Sequence, residues 1–130
     1  MQLLVYILVY PIIWIISIIP TRLLYVISDL LYVLVYYIIG YRKKTVQTNL
    51  ALCFPEKSKE DINSISKKFY HHFCDMILES IKSVSISEAE LKRRFIPTNI
   101  EEIRTIENMN KSMILVMGHY ASWEWIFILQ

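Results

Sequence analysis

The sequence predicts an α/β protein that begins with membrane helices, and three observations lead there. Residues 1–40 hold only two charged side chains, Arg22 and Asp29, in a chain that is 55% hydrophobic, more apolar than an ordinary soluble domain. From Ile62 onward, apolar and aromatic residues recur with a helical period. Met113–Met117 is a short continuous apolar run closed by Gly118, the pattern of a strand buried on both faces in a parallel sheet.

The start of the chain holds two apolar runs, Leu3–Ile19 and Leu23–Ile39, parted by Pro20-Thr21-Arg22. Each is near the shortest length that crosses roughly 30 Å of hydrocarbon. Tyr6, Tyr10, Trp14, Tyr25, Tyr32, Tyr36 and Tyr37 suit the bilayer interface, where an apolar ring and a polar tip are both satisfied. No basic segment precedes the first run and no small-residue cleavage site follows it, so a secretory signal peptide does not fit. Two arrangements remain open: a helical hairpin with both ends cytoplasmic, or one span followed by an interfacial helix. Asp29 favours a shallow position for the second run, because a carboxylate at the bilayer centre is costly. Arg42, Lys43 and Lys44 follow directly and suit the cytoplasmic edge of a membrane with anionic head groups. Residues 1–40 therefore read as a membrane anchor, and residues 41–130 as the beginning of an α/β domain.

Gly40 closes the apolar region as a helix terminator, and Pro55 breaks the chain after Phe54. Ser58 with Asp61 forms a capping-box pattern. The helix it opens should bury Ile62, Ile65, Phe69, Phe73, Met76 and Leu78 and run to about Ser83. Ser87 with Glu90 starts a short helix ending near Arg94, and Glu101–Met109 is a weaker helical stretch. Cys53 and Cys74 form no CxxC pair and have no zinc-type spacing to a histidine. His71 and His72 are adjacent and point in different directions on a helix, so both cysteines and both of these histidines read as structural. No metal site is expected. The net charge of +2 and its distribution do not ask for a nucleic-acid partner.

The chemistry concentrates after the expected strand. His119 stands where that strand ends and a helix containing Trp123–Leu129, capped by Ser122, begins; ligands of open α/β folds bind at such places. Gly118 permits an unusual turn there. Glu124, five residues on, can reach back to the imidazole from the first helical turn. A neutral imidazole can take a proton from a hydroxyl as that oxygen attacks an acyl carbonyl. A carboxylate on the other ring nitrogen would fix the tautomer and stabilise the imidazolium. A histidine with an acid at this offset is common by chance; its place after an apolar run and a glycine gives it weight.

Three blocks in order carry a resemblance: Tyr41–Leu50 followed by Phe54-Pro55-Glu56; the helix with Phe69-Tyr70, Phe73 and Glu79; and Gly118-His119-Tyr120-Ala121-Ser122-Trp123-Glu124. Together they resemble the bacterial lipid A biosynthesis (late) acyltransferases. The third block is similar to the family's Gly-His-aromatic-Gly-Asn-Trp-Glu, with Ala121 in place of Gly and Ser122 in place of Asn. The resemblance implies an acyltransferase-type α/β domain at the cytoplasmic face of the inner membrane. It implies an acyl thioester donor on acyl carrier protein or coenzyme A, and a lipid A precursor as acceptor. His119 would be the general base, Glu124 its orienting carboxylate, and Trp123 a packing residue, with no metal or organic cofactor. Family members are longer and the chain stops at Gln130 inside an apparent helix, so a truncated form without activity of its own is expected. Relatives acting on glycerophospholipids carry Asp where Glu124 stands, which favours the lipid A reading over that alternative. A non-catalytic membrane-anchored remnant would leave the third block unexplained.

Overall fold

The computed structural model describes all residues except Met1, Asn110, Lys111, Leu115 and Gln130. Helices are the regular structure among the described residues, about 74% helix with no strand, and the chain forms two compact units, residues 1–85 and 86–130. The expected α/β class is thus corrected. Ile114 and Val116, placed in the expected strand, are 89% and 87% exposed. An extended segment needs a neighbouring strand for its backbone N–H and C=O groups, and the described residues supply none.

In the first unit, α1 (Gln2–Ile18) contains Pro11 and has neither an acidic first turn nor a basic last turn. Most of its described side chains are exposed; Ile13 and Ile16 are half-buried and Ser17 is fully buried. Pro20 begins the next helix by accepting from the N–H groups of Leu23 and Leu24 at 2.9 and 3.0 Å. Helix α2 (Thr21–Tyr32) continues into a π-helical stretch, Val33–Ile39. Gly40 ends it in the left-handed conformation, φ 66°, ψ 33°, which a residue without Cβ adopts freely. Helices α3 (Lys43–Cys53) and α4 (Lys59–Lys82) follow.

Helix α4 opens as its sequence predicts. Ser58 Oγ accepts from Asp61 N–H at 3.1 Å while the Asp61 carboxylate accepts from Ser58 N–H at 3.2 Å. The Ser58 hydroxyl, donating to the Asp61 carboxylate at 2.8 Å, and then the Ser58 N–H hold the Asp61 carboxyl below its usual range. The buried stripe differs from the expected one. It comprises Ile62, Ser66, Tyr70, Cys74, Leu78 and Lys82, a strict four-residue spacing that follows one ridge of the helix. Phe69, an expected core residue, is 44% exposed. Small side chains explain the choice: Ser66 and Cys74, with Ser17 and Ser28 opposite, are buried to 1% exposure or less, and small residues let helix backbones approach closely.

Tyr36 and Tyr70 complete this core, with ring centroids 5.3 Å apart. The Tyr36 hydroxyl donates to Asn63 Oδ1 at 2.9 Å and that of Tyr70 to the Tyr41 carbonyl. Lys82, only 7% exposed, donates from Nζ to the carbonyls of Ser17 and Ile19 at 2.7 and 3.0 Å, and Ser85 Oγ donates to Ser17 O at 2.6 Å. A cation thereby meets the negative end of the α1 dipole and its unpaired last carbonyls.

The second unit holds α5 (Glu88–Arg94), α6 (Ile100–Asn108) and a 3₁₀ helix, Trp123–Leu129. Ser87 caps α5 by accepting from Glu90 N–H at 3.2 Å. Lys92–Glu88 and Arg94–Glu90 pair one turn apart, and α5 packs on the 3₁₀ helix.

Candidate functional site

The segment from Gly118 to Glu124 is built by its own short-range bonds. Tyr120 N–H donates to Gly118 O at 2.9 Å, Trp123 N–H to Ala121 O at 2.9 Å, and Trp125 N–H to Ser122 O at 3.0 Å. The last two wind the chain into the 3₁₀ helix, which is tighter than the α-helix expected over Trp123–Leu129. The backbone strain also falls elsewhere than expected. Gly118 does not take a positive φ, whereas Ala121 does, at 50°, where a Cβ costs about 1–2 kcal/mol.

His119 is exposed, and its ring meets that of Trp123 edge-on, centroids 4.3 Å apart and 65° between planes. Trp123 and Glu124 are half-buried. Trp125 is 8% exposed, the buried side chain among the described ones of this unit, and anchors the helix. The structure therefore brings His119 to Trp123. Among the described residues no hydrogen bond or ion pair joins His119 to Glu124. The exposed imidazole is open to solvent, and the half-buried Glu124 lies in the first turn of the 3₁₀ helix that follows it.

In the same unit a cavity of about 440 Å³ is lined by Phe95, Ile96, Ile100 and Ile103, with Lys92 and Arg104 among its polar residues. Its volume lies in the range of small-molecule sites, about 300–1,000 Å³. Glu107 also lines it, and both cations are paired with carboxylates, Lys92 with Glu88 and Arg104 with Glu101.

One cluster escaped the sequence reading. His71 Nε2 lies 2.8 Å from Asp29 Oδ1 and its Nδ1 3.3 Å from Asp75 Oδ2. One turn along, the Tyr25 hydroxyl donates to Glu79 Oε1 at 2.5 Å. These pairs form a polar seam between α2 and α4. His71 and Asp75 are four apart, a detectable spacing on a helix, but Asp29 is 42 residues away and no local pattern points to it. Cys74 is buried and burial raises its thiol pKa, which makes it a poor nucleophile. Among the described residues no group of His, Cys, Asp and Glu is arranged to hold a metal ion.

No curated protein and no solved structure matches the chain. The family model of the bacterial lipid A biosynthesis acyltransferases matches residues 1–129.

Proposed function

Because the chain belongs to the bacterial lipid A biosynthesis acyltransferase family, we propose that it transfers a fatty acyl group from an acyl thioester, on acyl carrier protein or coenzyme A, to a hydroxyl of a lipid A precursor. The observation that carries this reading is the family match extending through the Gly118–Glu124 block. His119 takes the proton of the acceptor hydroxyl as its oxygen attacks the thioester carbonyl. The tetrahedral intermediate collapses, the carbon–sulfur bond breaks, and the imidazolium returns the proton to the leaving thiolate. Glu124 holds the imidazole in the productive tautomer and stabilises the imidazolium. Trp123 fixes the ring from its edge contact.

The reaction belongs at the cytoplasmic face of the inner membrane, where an amphiphilic acceptor and a soluble donor meet. Thr21–Ile39 is long and apolar enough to reach across a bilayer, and the charge-poor residues 1–40 serve as the anchor. The test is acyl transfer in membranes carrying the natural gene product. His119→Ala should lower the rate about 10²–10⁴-fold with the protein still in the membrane fraction. Transfer at the unaltered rate would remove His119 from the mechanism.

A further inference from the structure

Thr21–Ile39 passes a length and composition test for a membrane span, but its surroundings argue for a different placement. Leu23, Val26, Leu30, Leu34 and Ile38 recur at three- and four-residue spacing and all are exposed, Leu30 to 67% and Ile38 to 73%. The other side of the same helix is packed on α4 from end to end. The pairs run antiparallel: Tyr25 with Glu79, Asp29 with His71, Tyr36 with Asn63. Wherever α2 goes, α4 goes beside it.

Helix α4 cannot enter hydrocarbon cheaply. Lys67, Lys68, His71 and His72 sit near its middle and all are exposed. If α2 crossed the bilayer, these groups would lie close to the midplane, where ionisable side chains are costly unless enclosed by protein. The ends raise the same objection. Lys82 and Ser85 hold the last carbonyls of α1, so the start of α2 and the end of α4 share one level. The basic residues Arg42, Lys43 and Lys44 follow the other end of α2. A crossing would divide them from Arg22 by the full bilayer.

We propose that α2 and its π-helical continuation lie in the plane of the membrane surface, with α4 stacked on their water-facing side. The Leu23–Ile38 stripe then dips about 5–10 Å into the boundary between head groups and acyl chains. Arg22 at one end and Arg42 and Lys44 at the other, all exposed, face anionic head groups of a single leaflet. The polar seam of Asp29, His71 and Asp75 stays above the hydrocarbon. Helix α1, apolar and exposed along most of its length, is left as the segment that enters the bilayer core. Of the two arrangements open from the sequence, this is the span followed by an interfacial helix.

The proposal rests on the membrane attachment assigned above, and its test separates the two. Cys53 is exposed and Cys74 buried, so Cys53→Ser leaves a background in which added surface cysteines can be spin-labelled selectively. Labels are placed singly at L23C, L30C and I38C, all exposed positions, and circular dichroism checks that each variant keeps its helix content. The whole chain is reconstituted in vesicles of phosphatidylethanolamine and phosphatidylglycerol. Depth is read from collisions with oxygen against a water-soluble nickel chelate. The expected result is three labels in lipid at one shallow depth. A label at residue 30 roughly 10 Å deeper than those at 23 and 38, as a rise of about 1.5 Å per residue requires of a crossing helix, would overturn the in-plane placement while keeping the attachment. All three labels in water would overturn the in-plane placement alone if the chain still floats with the vesicles, and the attachment as well if it does not.

Discussion

Residues 1–85 and residues 86–130 are held by different kinds of contact. In the first unit, side-chain bonds join residues far apart in sequence: Ser17 with Lys82, Tyr25 with Glu79, Asp29 with His71, Tyr36 with Asn63, Tyr41 with Tyr70. In the second, the pairs among the described residues include close neighbours in sequence, Glu88–Lys92, Glu90–Arg94 and Glu101–Arg104. Burial divides the same way. Leu24, Tyr36, Tyr70 and Cys74 are sealed in the first unit, and Trp125 stands for the second. The difference teaches that the helices of the first unit are fixed by a tertiary core, whereas the described backbone bonds of the segment bearing His119 and Glu124 are local, beside one buried indole. The His119 ring is left exposed, in edge contact with Trp123.

The comparison is tested hardest in the first unit. Tyr70→Ala removes a fully packed ring and its bond to the Tyr41 carbonyl, and large core aromatics typically cost about 3–5 kcal/mol. Phe69→Ala, next in sequence but 44% exposed, should cost well under that, about 1 kcal/mol. Thermal unfolding in detergent followed by circular dichroism measures both. Equal losses would mean that the buried stripe has been misplaced.

Lys82→Met keeps the aliphatic stem and removes the ammonium that caps Ser17 and Ile19. Hydrogen bonds to charged groups are worth about 1.5–3 kcal/mol, so the same assay should show a loss of about 2 kcal/mol. An unchanged midpoint would show that the carbonyls find other partners. In the second unit, Ala121→Gly relieves a positive φ and should stabilise that unit by about 1 kcal/mol, less the backbone entropy gained by the unfolded chain. Amide hydrogen exchange of residues 118–126 should slow; faster exchange would contradict the strain.

The smallest effect is a pH dependence. Asp61 has a folded pKa below its ordinary value because it accepts hydrogen bonds from Ser58. A depressed carboxylate pKa adds stability that is fully present above the ordinary value of 3.8 and fades as pH falls through the lower folded value. The N-terminal turn of α4 should thus fray in that acid window, and Asp61→Asn should flatten the dependence. A dependence that survives Asp61→Asn must come from another group.

What the sequence made legible follows the same division between local and distant contacts. The capping patterns at Ser58–Asp61 and Ser87–Glu90, the stop at Gly40 and the break at Pro20 are all short-range chemistry, and the structure carries each one. The strand expected at Met113–Met117 is not formed among the described residues, because an apolar run becomes a strand only beside another strand. The core stripe of α4 was misjudged because hydrophobic period favours Phe69 and Phe73, while Ser66, Tyr70 and Cys74 win through close backbone approach. The Asp29–His71 pair spans two helices and leaves no periodic trace. At the candidate site, spacing and resemblance point to His119 and Glu124, whose roles are proposed, and Trp123 lies in edge contact with His119. The positive φ at Ala121 was assigned to Gly118 instead, since residue type alone points to glycine.

The central claim is that His119 and Glu124 act as one catalytic unit, and a double-mutant cycle on acyl transfer tests it directly. Rates from an acyl thioester to a lipid A precursor are measured in membranes carrying the natural gene product and its His119→Ala, Glu124→Ala and doubly substituted forms. Residues that act together give losses that do not add. The double variant should therefore be about as slow as His119→Ala alone. If the two single losses multiply instead, Glu124 works independently of the imidazole, and the orienting role assigned to it is wrong.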